Sequence, residues 1–301
     1  MSAIQVTILS IIIMIAIGYI LKRCDFLSPE DINPLNKIVI NLFLPCMIFN
    51  GLYTADLSLI GKLGVLPFVI LISSFLTGLI SYAILKYLKY DDKKLWSVLV
   101  TIMIANTGFM GYPVVLGIFG NAGFIRAIFC DIATTILFLL LSFVLVLKFG
   151  GSIKSALKKI LTFPPLWAII LALIFNIFGI PIPNVIDKTI TYFAEATVAL
   201  IMLSLGLSIN FEGLYRNKKM ATFTSIMKLT IYPLFAFIIV NLLSLTDLQY
   251  NVSIIEAAMP SAILSLVLAI TYNLDSELTS DCIFSNTVIS LITLPLIMMI
   301  L

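Results

Sequence analysis

Histidine is missing from the 301 residues. Its absence removes imidazole general acid–base chemistry, Ser-His-Asp and Cys-His nucleophiles, and imidazole ligation of zinc or haem. Charge is scarce as well: Asp, Glu, Lys and Arg make up 11% of the chain, where a soluble domain carries about 25%. Hydrophobic residues make up 61% and the mean hydropathy is +1.17, so the polar groups are too few to cover a water-facing surface. The bilayer is the expected solvent. Eighteen basic against fifteen acidic residues leave a net charge of +3, too small a bias for a nucleic-acid partner or a polybasic membrane-surface protein. The four cysteines, Cys24, Cys46, Cys130 and Cys282, share no C-x-x-C spacing and read as packing residues. No metal cluster or cofactor motif is present, and the Tyr-Asp and Gly-x-Gly-Asp pair of an intramembrane aspartyl protease is lacking. The chain is not expected to be an enzyme.

What fills the chain instead is a series of apolar runs of the roughly 17–25 residues a spanning helix needs. Ten are counted, at approximately 4–21, 34–53, 63–86, 95–119, 126–148, 164–180, 189–209, 220–243, 251–271 and 282–301. The runs are long and do not alternate, which excludes strands and predicts an all-α membrane protein of ten transmembrane helices. The first run has no basic segment before it and no small-residue cleavage site after it, so it reads as a helix and not a signal peptide. The odd-numbered connections carry Lys22, Arg23, Lys37, Lys86, Lys89, Lys93, Lys94, Lys148, Lys154, Lys158, Lys159, Arg216, Lys218 and Lys219, fourteen of the eighteen basic residues. The even-numbered ones carry Lys62, Arg126 and Lys188, and Lys228 lies inside run eight. The positive-inside rule places the odd connections in the cytoplasm and both termini outside. No extramembrane domain is expected.

The two halves echo each other, which suggests a five-helix repeat over 1–150 and a second over 164–301. Lys62-Leu-Gly-Val-Leu-Pro67 in run three matches Lys228-Leu-Thr-Ile-Tyr-Pro233 in run eight, Asn36-Lys37 matches Asp187-Lys188, and Asn106 in run four aligns with Pro260 in run nine at an offset of 154. Five helices per half is odd, so the second repeat is inverted, the architecture of secondary transporters. Run four reads Asn106-Thr107-Gly108-Phe-Met-Gly111-Tyr-Pro113 and run nine Glu256-Ala-Ala-Met-Pro260-Ser261. Proline removes an amide donor and glycine loosens the backbone, and in hydrocarbon such breaks survive only where they face protein, water or a ligand. Asn106 lies about eleven residues into run four, roughly 16 Å by helical rise, near the midplane. Half-helix N-termini there suit a carboxylate. The substrate-binding candidates are Asn106, Thr107, Gly108, Pro113, Pro260 and Ser261; the bland alternative is a pair of kinks that improve packing.

Glu256, one turn before Pro260, reads either as an ion-coupling carboxylate for sodium or protons or as an acid solvated at the outer mouth. Asp131 and Glu195 read as solvated or paired acids one to two turns from the outer interface. Lys228 reads as snorkelling to the cytoplasmic interface, with pairing to a carboxylate or substrate as the alternative. Asn41, Asn50 and Asn286 read as interhelical amides.

Five motifs in order resemble the auxin efflux carrier family: Asn41-Leu-Phe-Leu-Pro45-Cys-Met-Ile-Phe49, Asn106-Thr-Gly-Phe-Met-Gly-Tyr-Pro113, Ala196-Thr-Val-Ala-Leu-Ile-Met-Leu-Ser204-Leu-Gly206-Leu, Ala258-Met-Pro260-Ser-Ala, and Tyr272-Asn-Leu-Asp275-Ser-Glu277-Leu running on to Ser290-Leu-Ile-Thr-Leu-Pro295. The resemblance implies a bile acid:sodium symporter-like fold with broken helices four and nine crossing at the midplane. It implies that helices 1, 2, 6 and 7 form a scaffold, often dimerising, and that helices 3–5 and 8–10 move as an elevator. Its implied substrates are organic anions, mono- or dicarboxylates, with Asn106 on the substrate carboxylate and Thr107, Pro113, Pro260 and Ser261 shaping the site. Ala262 and Ile263 stand where bacterial relatives often carry a more polar pair.

The expected function is therefore secondary transport, as an efflux carrier, of a small organic anion across the plasma membrane by a homodimer. The alternatives are a sodium- or proton-coupled symporter of the same fold and a non-transporting membrane sensor.

Overall fold

The structure is a computed structural model that describes residues 3–56, 63–152, 154, 157–158, 161–209 and 217–301. Lys62, Lys159 and Arg216 of the charge count lie outside the described residues, and with Lys62 goes one side of the run three and run eight match. Every regular element among the described residues is helical, as a bilayer demands of a backbone that finds no water to bond with. The helices are α1 (Ala3–Arg23), α2 (Ile32–Tyr53), α3 (Leu66–Tyr87), α4 (Asp92–Met103), α5 (Thr107–Phe149), α6 (Pro164–Ile177), α7 (Asn184–Ser208), α8 (Lys218–Leu242), α9 (Asp247–Ala257), α10 (Leu264–Thr271) and α11 (Ser276–Ile300).

Seven of the described helices, α1, α2, α3, α5, α7, α8 and α11, are long and apolar enough to cross a membrane. The ten apolar runs do not map one to one onto spanning helices. Run four divides at residues 104–106 into α4 and the start of α5. Its second part leaves helical geometry at Gly120, whose φ of 61° lies in the left-handed region, and run five forms the rest of α5 beyond that kink. Run nine divides into the short helices α9 and α10, and run six yields the 14 residues of α6.

Three helices widen locally into a π turn: Val39–Phe43 in α2, Thr107–Gly111 in α5 and Met227–Ile231 in α8. In each case a proline follows two residues after the turn ends, at Pro45, Pro113 and Pro233. A helical proline clashes with the carbonyl four residues earlier and offers it no donor. That carbonyl belongs to residue 41, 109 or 229, the middle of each wide turn, so the bulge is the helix's accommodation of the ring.

The chain divides into two compact units. Unit 1 contains α1, α2, α6, α7 and residues 116–125; unit 2 contains α3, α4, residues 107–115 and 126–157, and α8 to α11. Each unit draws helices from both halves of the sequence.

In unit 1, α1 and α7 approach through glycine: a Cβ on Gly206 would stand 2.8 Å from the Gly18 Cα, and one on Gly18 would stand 3.0 Å from the Gly206 Cα. Such close backbone contact replaces the hydrophobic drive that lipid does not supply. At the end of this contact the Lys22 ammonium donates to the Ile209 carbonyl at 2.9 Å. The Asn176 amide joins α6 to the end of α2, donating to the carbonyls of Leu52 (2.7 Å) and Ala55 (2.9 Å). Thr197 on α7 donates to the Phe43 carbonyl in the π turn of α2 at 3.0 Å.

In unit 2, Leu85, Leu95, Leu99 and Ile102 pack with Met227, Leu278 and Cys282. This core joins α3, α4, α8 and α11.

Candidate functional site

The breaks in runs four and nine meet within unit 2. The Asn106 N–H donates to the Pro260 carbonyl at 2.8 Å and the Ala262 N–H to the Ile104 carbonyl at 2.9 Å. Ala105 and Ser261 face each other as an isolated antiparallel bridge. Two strand-like tripeptides thus satisfy part of each other's backbone where α4 and α9 end and α5 and α10 begin. The exchange has local twofold symmetry that carries Ile104 onto Pro260 and Asn106 onto Ala262. The sequence register that paired Asn106 with Pro260 is therefore off by two residues: Asn106 and Pro260 are hydrogen-bond partners across the bridge. The amide that α5 offers at this point has the methyl of Ala262 as its counterpart.

Asn106 is 6% exposed, and its side-chain amide makes no hydrogen bond to a described residue. Thr107 begins the π turn, and its hydroxyl donates to Asp131 and lies 2.9 Å from the hydroxyl of Thr134. The Tyr112 hydroxyl donates to the other oxygen of Asp131 at 3.0 Å. Gly108 faces the same carboxylate, 3.8 Å from where its Cβ would be. Ser261 accepts from the Asn286 amide at 2.6 Å, and the Asn286 carbonyl accepts from Ser225 at 2.6 Å, so one buried amide on α11 ties the break to α8. Pro113 is buried two residues beyond the π turn. Its part is to shape that turn; it does not join the bridge.

Glu256 is fully buried, so the solvated-mouth reading gives way to an interior carboxyl. It packs against Gly111, where a Cβ would come within 2.6 Å of its Cδ. Lys228 is corrected too. It does not snorkel: it is fully buried, ten residues into α8, with its ammonium donating to the Ala257 carbonyl at 3.3 Å and lying 3.5 Å from the centre of the Tyr232 ring. A carbonyl at the C-terminal end of α9 and an aromatic face hold the cation where snorkelling would have placed it in water. Of the intramembrane amides, Asn286 bonds between helices, whereas Asn41 donates to the Lys37 carbonyl of its own helix at 2.6 Å.

Around the bridge, four helix ends converge in two kinds. The first amides of α5 and α10 have no intrahelical partner and form positive helix ends; Gly108 is half-buried and Ile263 is 44% exposed beside them. The last carbonyls of α4 and α9 form negative ends, and Lys228 serves one of them. The arrangement offers a small anion backbone N–H groups and one free side-chain amide, with a buried carboxyl and ammonium beside them.

A family model described as membrane transport protein matches residues 3–298. The chain belongs to the auxin efflux carrier family. This carrier is 42% identical over 290 residues to an uncharacterized transporter of Methanothermobacter thermautotrophicus, covering 96% of each chain. It is 23% identical over 303 residues to the uncharacterized transporter YfdV of Escherichia coli, covering 96% of this chain and 95% of that one. Auxin efflux carrier component 6 of Arabidopsis thaliana is 29% identical over 132 residues, which cover 43% of this chain and 23% of the plant protein. The chain is a multi-pass membrane transporter and not an enzyme.

Proposed function

We propose that this transporter carries a small organic anion, a mono- or dicarboxylate, across the plasma membrane as an efflux carrier, with the carboxylate docked at the crossing of the two breaks. The observation that carries the reading is the reciprocal bridge between residues 104–106 and 260–262, because it brings the positive ends of α5 and α10 to Asn106, whose side-chain amide has no hydrogen-bond partner among the described residues. Free N–H groups and a helix dipole are the ingredients of an anion site. Thr107, Gly108, Pro260 and Ser261 shape the site through the backbone, and Pro113 through the π turn.

The division into two units supports an elevator mechanism in which α1, α2, α6 and α7 form a dimerising scaffold and unit 2 moves with the substrate. Both termini face outward on this reading, and the two halves of the chain are inverted repeats. An ion-coupled carrier is the second reading, favoured by the burial of Glu256 beside the site.

Thermal-shift screening of the purified chain against mono- and dicarboxylates tests the proposal. A ligand at a hundred times its Kd stabilises by about 2.7 kcal/mol, and Asn106→Ala is expected to abolish that shift while leaving the unliganded midpoint within a few degrees of wild type. A series in which no carboxylate moves the wild-type midpoint, or in which Asn106→Ala responds as wild type does, refutes the assignment.

A further inference from the structure

Docking an anion at Asn106 leaves the carboxyl of Glu256 without a task. It is fully buried, and neither of its oxygens has a hydrogen-bond partner. It sits in the space left by the missing side chain of Gly111, in the first turn of α5. The charged and titratable groups that face it are Asp131, Cys130 and Tyr112 from α5 and Lys228 from α8. From α3 and α11, which also pack on α9, no charged group acts on it among the described residues. Lys228 donates to the carbonyl of Ala257, the residue next to Glu256, and is backed by Tyr232, whose hydroxyl donates to the Ile70 carbonyl at 3.0 Å.

We propose that Glu256 carries an exchangeable proton through the transport cycle and that Lys228 fills the place a coupling metal cation would need, so that the carrier is driven by protons and not by sodium. The inference rests on the anion-transport reading above and names its energy source; because proton and anion cross together, net flux follows the pH gradient, and the carrier exports its anion only when the cytoplasmic side is the more acidic. With Glu256 and Asp131 ionised and Lys228 charged, the cluster holds one net negative charge beside the site, which opposes an arriving carboxylate. A proton on a Glu256 oxygen removes that charge and needs no further ligand. A metal cation would need several oxygens around it. The carbonyl at the end of α9 is already taken by an ammonium, and a second cation beside it would meet like charge. The proton leaves water on the side to which the site is open, forms an O–H bond on Glu256, and returns to water on the opposite side when that bond breaks. One proton and one carboxylate charge cross together, so the cycle moves no net charge for a monoanion.

The test uses the full chain in proteoliposomes with two readouts. Infrared difference spectra between acidic and mildly alkaline buffer are expected to show the C=O stretch of a protonated carboxyl in wild type and to lose it in Glu256→Gln, a variant of nearly the same size and shape. Replacing choline by sodium is expected to leave the wild-type band unchanged, and sodium is expected to remove the band in Lys228→Ser, where the place of the ammonium is empty. The second readout is accumulation of radiolabelled malonate with the membrane potential held at zero, since this dianion and one proton together carry a charge; accumulation is expected to rise about tenfold per unit of pH gradient for one proton per anion and to lose that response in Glu256→Gln. The proposal is overturned by a band that persists in Glu256→Gln, by a wild-type band that sodium removes, by a sodium-blind Lys228→Ser, or by malonate flux indifferent to the gradient. If Lys228→Ser does not fold, the wild-type sodium comparison decides that arm. Wild type that takes up no carboxylate refutes the substrate reading, while the infrared arms still decide the proton site.

Discussion

Gly108 and Gly111 stand three residues apart in the same π turn, and alanine at the two positions is expected to have opposite consequences. A Cβ on Gly108 would lie 3.8 and 3.9 Å from the Asp131 oxygens, ordinary van der Waals contact. A Cβ on Gly111 would lie 2.6 Å from the Cδ and one oxygen of Glu256 and closer still to the other. Alanine in place of glycine gains up to about 1 kcal/mol of helix propensity, so Gly108→Ala is expected to be neutral or slightly stabilising. Gly111→Ala must push a fully buried carboxyl, or α9 with it, by several tenths of an ångström. Overpacking of that kind costs about 1–3 kcal/mol, which leaves a net loss of up to about 2 kcal/mol after the propensity gain.

At about 2–4 °C per kcal/mol for chains of 150–250 residues, the thermal midpoint of purified Gly111→Ala should fall, by up to about 8 °C, and that of Gly108→Ala should not fall. The carboxyl is the obstacle, so its removal should rescue the variant: on a Glu256→Ala background, Gly111→Ala is expected to cost nothing. The resulting coupling of about 2 kcal/mol is well within what contacting residues show in double-mutant cycles. Equal shifts at the two glycines, or a Gly111→Ala penalty unchanged in the Glu256→Ala background, would refute the seating of Glu256 on the first turn of α5.

Two further expectations concern packing away from that carboxyl. Gly206→Ala in unit 1 would drive a methyl into the backbone of α1, 2.8 Å from the Gly18 Cα; because backbone cannot rotate away, the loss should be about 3 kcal/mol, the upper end of overpacking costs, read as a thermal midpoint lowered more than by Gly111→Ala. Asn286→Leu leaves the hydroxyls of Ser225 and Ser261 without the bonds they make to this amide, a cost of about 2–6 kcal/mol for two buried polar groups, and hydrogen exchange at residues 261–263 should quicken while exchange within α1 does not.

Much of the fold was legible because lipid leaves the backbone few options. Long apolar runs must be helices, and the prolines at 45, 113 and 233 mark where those helices widen. The sequence also located the breaks, since Asn106-Thr-Gly and Met-Pro260-Ser offer poor helix continuation in a stretch too apolar for a loop. What it did not carry was the register between them. Glycine, proline and serine in two runs announce that backbone groups need partners, but which carbonyl meets which amide depends on how α4 and α9 terminate, and α4 is seated through Leu95, Leu99 and Ile102 on Leu278, residues far apart in the chain. Likewise the apolar runs separate run four from run five near 120–125, but hydropathy does not say how the chain turns there, which it does at Gly120 with a positive φ.

The site illustrates the same limit with a sharper consequence. Lys228 was read by its chemistry alone, and a lone lysine in an apolar run is expected to stretch toward water. Its true partners, the Ala257 carbonyl and the face of Tyr232, are a main-chain atom on another helix and a ring four residues on, neither of which has a charge to announce itself. Only the pairing of a carboxyl at 256 with an ammonium at 228 in one buried cluster could have been suspected from the sequence, and the π turn that brings Lys228 inward is itself set by Pro233. The asymmetry of the bridge follows from the same accounting. Asn106 and Ala262 occupy equivalent places, yet only Asn106 carries a polar side chain, so the α10 side of the crossing can offer a ligand backbone amides alone. If that imbalance is functional, Ala262→Asn should add a second amide to the site and tighten any carboxylate that Asn106 holds, whereas a site built elsewhere would not respond to it.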